Sequence, residues 1–141
     1  MYTEITQVHL EPTQKCQASC PMCDRNENGG KVNKYLTNAD LSLADVKKIM
    51  SKDFVRQLNN IYMCGNHGDP ILAPECLEIM QWFREVNPRI HLSITTNGGA
   101  RDDKFWKGIA ETVNKVTFSV DGLEDTNHLY RKNVKWDILQ R

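Results

Sequence analysis

Cys16-Gln-Ala-Ser-Cys20-Pro-Met-Cys23 places three thiols within eight residues, at the spacing C-x3-C-x2-C. Little chain has to be ordered to bring them together. The run therefore suits one soft metal centre with three protein ligands and an open fourth position. Spacing alone leaves the occupant open. An iron–sulfur cubane takes four ligands, so three thiolates would leave one iron free for exogenous chemistry. A zinc ion would need a fourth ligand from Cys64, Cys76, His9 or His67. Free thiols clustered by chance are the third reading.

Composition narrows the setting. The 141 residues suffice for one domain and are too few for two ordinary ones. Apolar residues make up 40% and charged residues 26%, as in a globular chain. The 18 basic and 18 acidic residues cancel. No overall basic field exists, so neither nucleic acid nor a membrane surface is an expected partner. No stretch approaches the ~20 apolar residues of a membrane span. The start, Met1 to Gln7, has neither the basic residues nor the apolar run of a signal peptide. The expected location is the reducing cytoplasm, where clustered cysteines are ligands or redox groups rather than disulfides. The odd count of five cysteines also fits complete pairing poorly.

The elements that must position the cysteines follow from hydrophobic periodicity. Gln7 to Glu11 alternates as a strand that Pro12 ends. Asp24 to Asn38 is polar, contains Gly29-Gly30, and is long for a loop, which predicts a mobile or functional segment. Within Leu41 to Met50, apolar positions 43, 46, 49 and 50 predict a helix, with Ser42 as N-cap and Asp45 as capping-box partner. Asn60 to Cys64 predicts a second strand. Glu75 to Val86 predicts a helix with Pro74 at its first turn and Asn87-Pro88 at its end. Ile90 to Thr95 reads as a strand, Asp102 to Val113 as a helix, Lys115 to Val120 as a strand and Asn133 to Arg141 as a helix. Trp82, Phe83, Phe105 and Trp106 fall at helical spacings that suit packing on a sheet. Cys64 reads as a buried strand residue and Cys76 as an ordinary helix residue.

Strands alternating with helices predict an α/β fold of parallel strands joined by right-handed crossovers. Residues 1–141 form one domain in this scheme, with no repeat beyond the β/α rhythm. The chain stops inside its last helical pattern, and the fourth strand would leave a sheet edge open. The expectation is a partial (β/α) barrel of about four β/α units, the first part of a longer barrel or a naturally shortened one.

Each polar or glycine-rich interruption falls at the C-terminal end of a predicted strand, the face where parallel β/α folds bind ligands. The cysteine loop follows strand one. Gly65-Asn66-His67-Gly68-Asp69-Pro70 follows strand two, Thr95-Thr96-Asn97-Gly98-Gly99 strand three, and Ser119-Val120-Asp121-Gly122 ends strand four.

With these motifs in this order, the chain resembles the radical S-adenosylmethionine (SAM) enzymes from about Val8 to Leu139. The resemblance is to the branch that contains the molybdopterin-precursor synthases and the SPASM-type enzymes. Gly68-Asp69-Pro70-Ile71-Leu72 is similar to that branch's G-E-P-L-L, and Thr95-Thr96-Asn97-Gly98 to its T-N-G. Ser119-Val120-Asp121-Gly122, with Arg131 beyond, is similar to its S-I/L-D-G…R.

The resemblance implies that Cys16, Cys20 and Cys23 hold a 4Fe-4S cluster whose fourth iron binds SAM. Reductive cleavage of SAM would then give a 5′-deoxyadenosyl radical that abstracts hydrogen from a substrate. SAM contacts are implied for Gly68 and Asp69, the latter through the methionine ammonium, although the family more often has Glu there. They are also implied for Thr96, Asn97, Ser119 and Arg131, and for Met22 beside the adenine. Gly65 and Gly68 would let the loop backbone approach the ligand. His67 stands where the family more often has Gly and could touch SAM or substrate, as readily as it could be a solvated loop residue. A reductant such as flavodoxin or ferredoxin and an unknown small-molecule or peptide substrate are the implied partners. Two alternatives remain at this level. One is a zinc-stabilised binding module without catalysis. The other is a shortened protein that binds cluster and SAM without turnover.

Overall fold

The computed structural model describes residues 4–141. Strands β1 (Gln7–Leu10), β2 (Asn60–Met63), β3 (His91–Thr96) and β4 (Lys115–Phe118) form one parallel sheet in the order β1-β2-β3-β4. Helices α1 (Leu43–Ile49) and α2 (Lys52–Gln57) lie between β1 and β2, α3 (Cys76–Val86) between β2 and β3, and α4 (Asp103–Thr112) between β3 and β4. Two short helices, α5 (Asn127–Tyr130) and α6 (Trp136–Gln140), follow β4.

Strand alternation divides the sheet into two chemically different faces. The register aligns Leu10, Met63, Ile94 and Val116 in one row. That row packs with Val46, Ile79, Phe83 and Ile109 from the helices. Each large apolar side chain fully buried there contributes roughly 1.5–3 kcal/mol. The neighbouring row, His9, Tyr62, Ser93 and Lys115, points the other way and contains no buried residue. The His9 and Tyr62 rings stack there with centroids 4.6 Å apart. Parallel sheets ordinarily bury both faces. A polar, accessible second face is what the inner wall of an open barrel presents.

Local chemistry accounts for most of the boundaries. Ser42 caps α1 in a reciprocal capping box with Asp45, and Asp102 caps α4 through the Phe105 N–H. Three expectations need correction. Helix α2 is unforeseen: Ser51 caps it, and at six residues it is too short for periodicity to reveal. Pro74 lies one residue ahead of the α3 N-cap, Glu75, rather than in the first helical turn. The helix expected from Asn133 begins only at Trp136, because Asn133 adopts a positive φ of 70°, and the short α5 ahead of it is unforeseen.

The long polar segment is pinned at several points. The Gln14 side-chain oxygen accepts from the Thr37 N–H and hydroxyl, each at 3.1 Å, and from the Ala39 N–H. Asp40 accepts from the Thr13 hydroxyl at 2.6 Å and from the Lys15 ammonium. The far end of this segment is thereby bound to the residues that lead into Cys16.

Candidate cofactor site at the strand C-terminal rim

The chain crosses the sheet's C-terminal rim after every strand, and the four crossings enclose one cavity of about 150 Å³. Cys16, Cys20 and Cys23 line it together. Gly68, Asp69, Thr96, Asn97, Ser119 and Arg131 line the same cavity. All the sequence-expected site residues except Met22 therefore meet in one wall. Met22 is 83% exposed and borders a neighbouring cleft instead.

The cysteine loop is built from its own backbone turns. The Cys23 N–H donates to the Cys20 carbonyl at 3.2 Å, and the Asn26 N–H to the Cys23 carbonyl at 2.9 Å. The Ser19 N–H reaches the Lys132 carbonyl at 3.0 Å, which draws the segment beyond α5 against the loop. Two side chains donate toward the sulfurs. Asn97 Nδ2 lies 3.6 Å from Cys16 Sγ, and Arg131 Nη1 lies 3.7 Å from Cys20 Sγ. The Asn97 Oδ1 accepts from Gln17 Nε2 at 2.6 Å and from the Gly99 N–H at 2.8 Å, which fixes the amide orientation. Arg131 is held by an ion pair with Asp121.

Asp69 is the junction of the rim. Its N–H donates to the Lys15 carbonyl at 2.8 Å. Its carboxylate accepts from the Asn97 N–H at 2.8 Å and from the Ile71 N–H at 3.3 Å. Burial pushes its pKa up, against the hydrogen bonds from Asn97, Thr96 and Ile71. Burial likewise pushes the Cys16 thiol up to about 11.

Gly65 and Gly68 are required by the loop itself, whatever ligand it meets. A Cβ on Gly65 would stand 1.9 Å from the Gly68 carbonyl oxygen, and one on Gly68 2.1 Å from the Thr13 carbonyl oxygen. His67 lines the cavity at intermediate exposure. Cys64, expected as a buried strand residue, lies just beyond β2 in the cavity wall. Arg25 and Gln17 were missed by sequence reasoning. Arg25 sits in a polar stretch that reads as solvated, and no local pattern marks it as buried.

The donor set, three thiols in one cavity with N–H donors beside two of them, fits a thiolate-held group. Zinc demands Zn–S distances of about 2.3 Å in a tight tetrahedron. Among the described residues no three His, Cys, Asp or Glu side chains are grouped to hold a single metal ion. Of the four expected fourth zinc ligands, Cys64 and His67 line the cavity with the three thiols, whereas Cys76 and His9 are engaged elsewhere. Cys76 is fully buried in α3 with its thiol 4.0 Å from the Met63 sulfur, and His9 bonds the Cys64 carbonyl while stacked on Tyr62. N–H groups aimed at two of the three sulfurs suit thiolates that keep charge on sulfur.

The Radical SAM superfamily model matches residues 10–140. A curated relative from Methanocaldococcus jannaschii, named as a probable GTP 3′,8-cyclase, is 25% identical over 138 residues. That match covers 98% of this chain and 43% of the relative, so the chain spans less than half the relative's length. Among solved structures, anSMEcpe with bound AdoMet superposes with a TM-score of 0.73 at 22% identity, covering 97% of this chain and 39% of that one. SuiB of Streptococcus suis bound to S-adenosylmethionine superposes with a TM-score of 0.69 at 17% identity, covering 94% and 29%. These two likenesses establish the fold: the four-stranded sheet and its helices correspond to part of a radical SAM barrel.

Proposed function

The chain belongs to the radical SAM superfamily, and on that premise we propose that Cys16, Cys20 and Cys23 hold a 4Fe-4S cluster beside a bound SAM, as the core of a radical enzyme. One observation carries this proposal. The three thiols line a single cavity together with the loops that follow β2, β3 and β4. When bound, the cluster and SAM supply reductive cleavage of the sulfonium and hydrogen-atom abstraction from a substrate.

The chain's own residues bind, orient and exclude water. Asn97 and Arg131 hold the Cys16 and Cys20 sulfurs by N–H donation. Gly68, Asp69, Thr96, Asn97, Ser119 and Arg131 are the proposed SAM contacts. Asp69 would use carboxylate lone pairs left over from the Ile71 and Asn97 N–H groups to accept from an ammonium, a charge-assisted bond. Met22 receives no contact in this scheme. Hydrogen bonding by Gln17, Asn97 and Gly99 orders the loop contacts before ligand arrives. A small molecule or peptide would approach along the polar row of His9, Tyr62 and Ser93, and a reductant such as flavodoxin or ferredoxin would supply the electron. No described helix is long and apolar enough to cross a membrane, and the proposed setting is the reducing cytoplasm.

Anaerobic reconstitution tests the proposal. It should give about four irons and four sulfides per chain, with visible absorption bleached by dithionite. Added SAM should perturb the electron paramagnetic resonance (EPR) spectrum of the reduced cluster. One zinc per chain with no sulfide would overturn it.

A further inference from the structure

Arg25 lies two residues beyond Cys23, is only 6% exposed and lines the same cavity as the three thiols. Among the described residues its side-chain hydrogen-bond partners are all neutral. Nε donates to the Gln14 carbonyl at 3.0 Å, Nη1 to Asn26 Oδ1 at 3.3 Å and Nη2 to Asn38 Oδ1 at 3.3 Å. Among the described residues no carboxylate forms an ion pair with it. Other cations near the site have acidic partners: Arg131 has Asp121, and Lys15 has Asp40. A guanidinium taken out of water without a counter-ion is costly. The feature that compensates it should be an anion in the cavity it faces.

We propose that Arg25 is the fixed counter-charge of the iron–sulfur site and raises the cluster's reduction potential. Three thiolates give a bound cluster net negative charge, and each one-electron reduction adds another. A buried cation stabilises the reduced form more than the oxidised one, because charge interactions are weakly screened away from solvent. The proposal rests on the reading that the cysteines hold a cluster. Arg25 also ties the polar segment to Gln14, a structural role that any suitable hydrogen-bond donor would serve. Charge and anchoring are therefore separable by experiment.

The test is a potentiometric titration with dithionite as electron donor, followed by EPR of the reduced cluster, without SAM and without turnover. Wild type, Arg25→Met, Arg25→Lys and Asn38→Asp are compared after anaerobic reconstitution, with iron and sulfide counted for each. Arg25→Met should have a lower midpoint potential, and Arg25→Lys should return most of the shift. Asn38→Asp leaves the arginine in place and sets a carboxylate against it, so it should also lower the midpoint. Asn38 has a φ of 54°, a conformation Asp tolerates better than most residues. A midpoint for Arg25→Met equal to that of wild type overturns the inference and leaves the cluster itself intact. If Arg25→Met fails to fold or load, Asn38→Asp decides, and an unshifted midpoint there overturns the inference. A wild-type chain that takes up no iron and sulfide overturns the cluster reading instead.

Discussion

The Asn97 backbone N–H donates to the buried Asp69 carboxylate at 2.8 Å and joins the loop after β3 to the loop after β2. The Asn97 side chain meanwhile donates to Cys16 Sγ at 3.6 Å. Two residues thus connect three loops, and the position of one thiol depends on a carboxylate that does not touch it.

Asp69→Ala should lower the stability of the cluster-free chain by about 1–3 kcal/mol, because it leaves the Ile71 and Asn97 N–H groups without acceptors in a buried place. Asp69→Asn keeps one accepting oxygen and should cost less. Urea unfolding measures both. Equal stability of the Ala variant and wild type would contradict the junction. In the Asn variant that still folds, SAM affinity should fall, which equilibrium binding to the reconstituted protein would read.

Gly68→Ala should destabilise by roughly 1–3 kcal/mol, since its Cβ would meet the Thr13 carbonyl oxygen at 2.1 Å and backbone must move to admit it. Gly65→Ala, with its contact at 1.9 Å, should be at least as severe. The damage should appear in cluster-free protein, by urea or thermal unfolding. If the glycines served only ligand approach, stability would be unchanged and only SAM binding would suffer.

Cys16→Ala, Cys20→Ala and Cys23→Ala should each abolish stoichiometric iron and sulfide uptake. Cys76→Ala should not, because that thiol lies in the helix–sheet core, where burial pushes it up to about 12. For the same reason Cys76 should be the slow thiol in alkylation of the folded chain at pH 8. Mass spectrometry after iodoacetamide treatment checks this. Rapid labelling of Cys76 in folded protein would contradict its place in the core.

Asp40 should make the anchoring of the polar segment acid-sensitive. Burial works against ionisation, but hydrogen bonds from Lys15 and Thr13 outweigh it and hold the carboxyl below its usual range. The folded pKa is thus lower than the unfolded one. Stabilisation is therefore present above the unfolded value of about 3.9 and lost as pH falls through the folded value. Asp40→Asn should cost on the order of 0.5 kcal/mol at pH 7, the scale of a solvent-screened pair. The difference from wild type should vanish below both values. Urea titrations at neutral and acid pH would show it, and a pH-independent difference would refute it.

Much of the fold was legible because its determinants are local. Ser42 with Asp45 and Asp102 with Phe105 close helix ends within three residues, and alternation in His91–Thr96 declares a strand within six. Helix α2 was not legible, since six residues make under two turns. Cys64 was misjudged because apolar neighbours in β2 conceal that the strand has already ended. Arg25 was missed because its burial depends on Gln14, Asn26 and Asn38 folding back around it.

By itself the sequence determined the cysteine spacing, the parallel β/α order and the placing of the four polar loops that follow the strands at one sheet rim. Each of these follows from residue type and short-range periodicity. Only the tertiary structure decided which side chains serve the sulfurs. Asn97 stands 81 residues from Cys16, and Arg131 stands 111 residues from Cys20. The parallel register of β1 to β4 carries those loops to the same end of the sheet. No pattern along the chain encodes which atoms then come within hydrogen-bond reach, because that depends on how the helices and sheet pack.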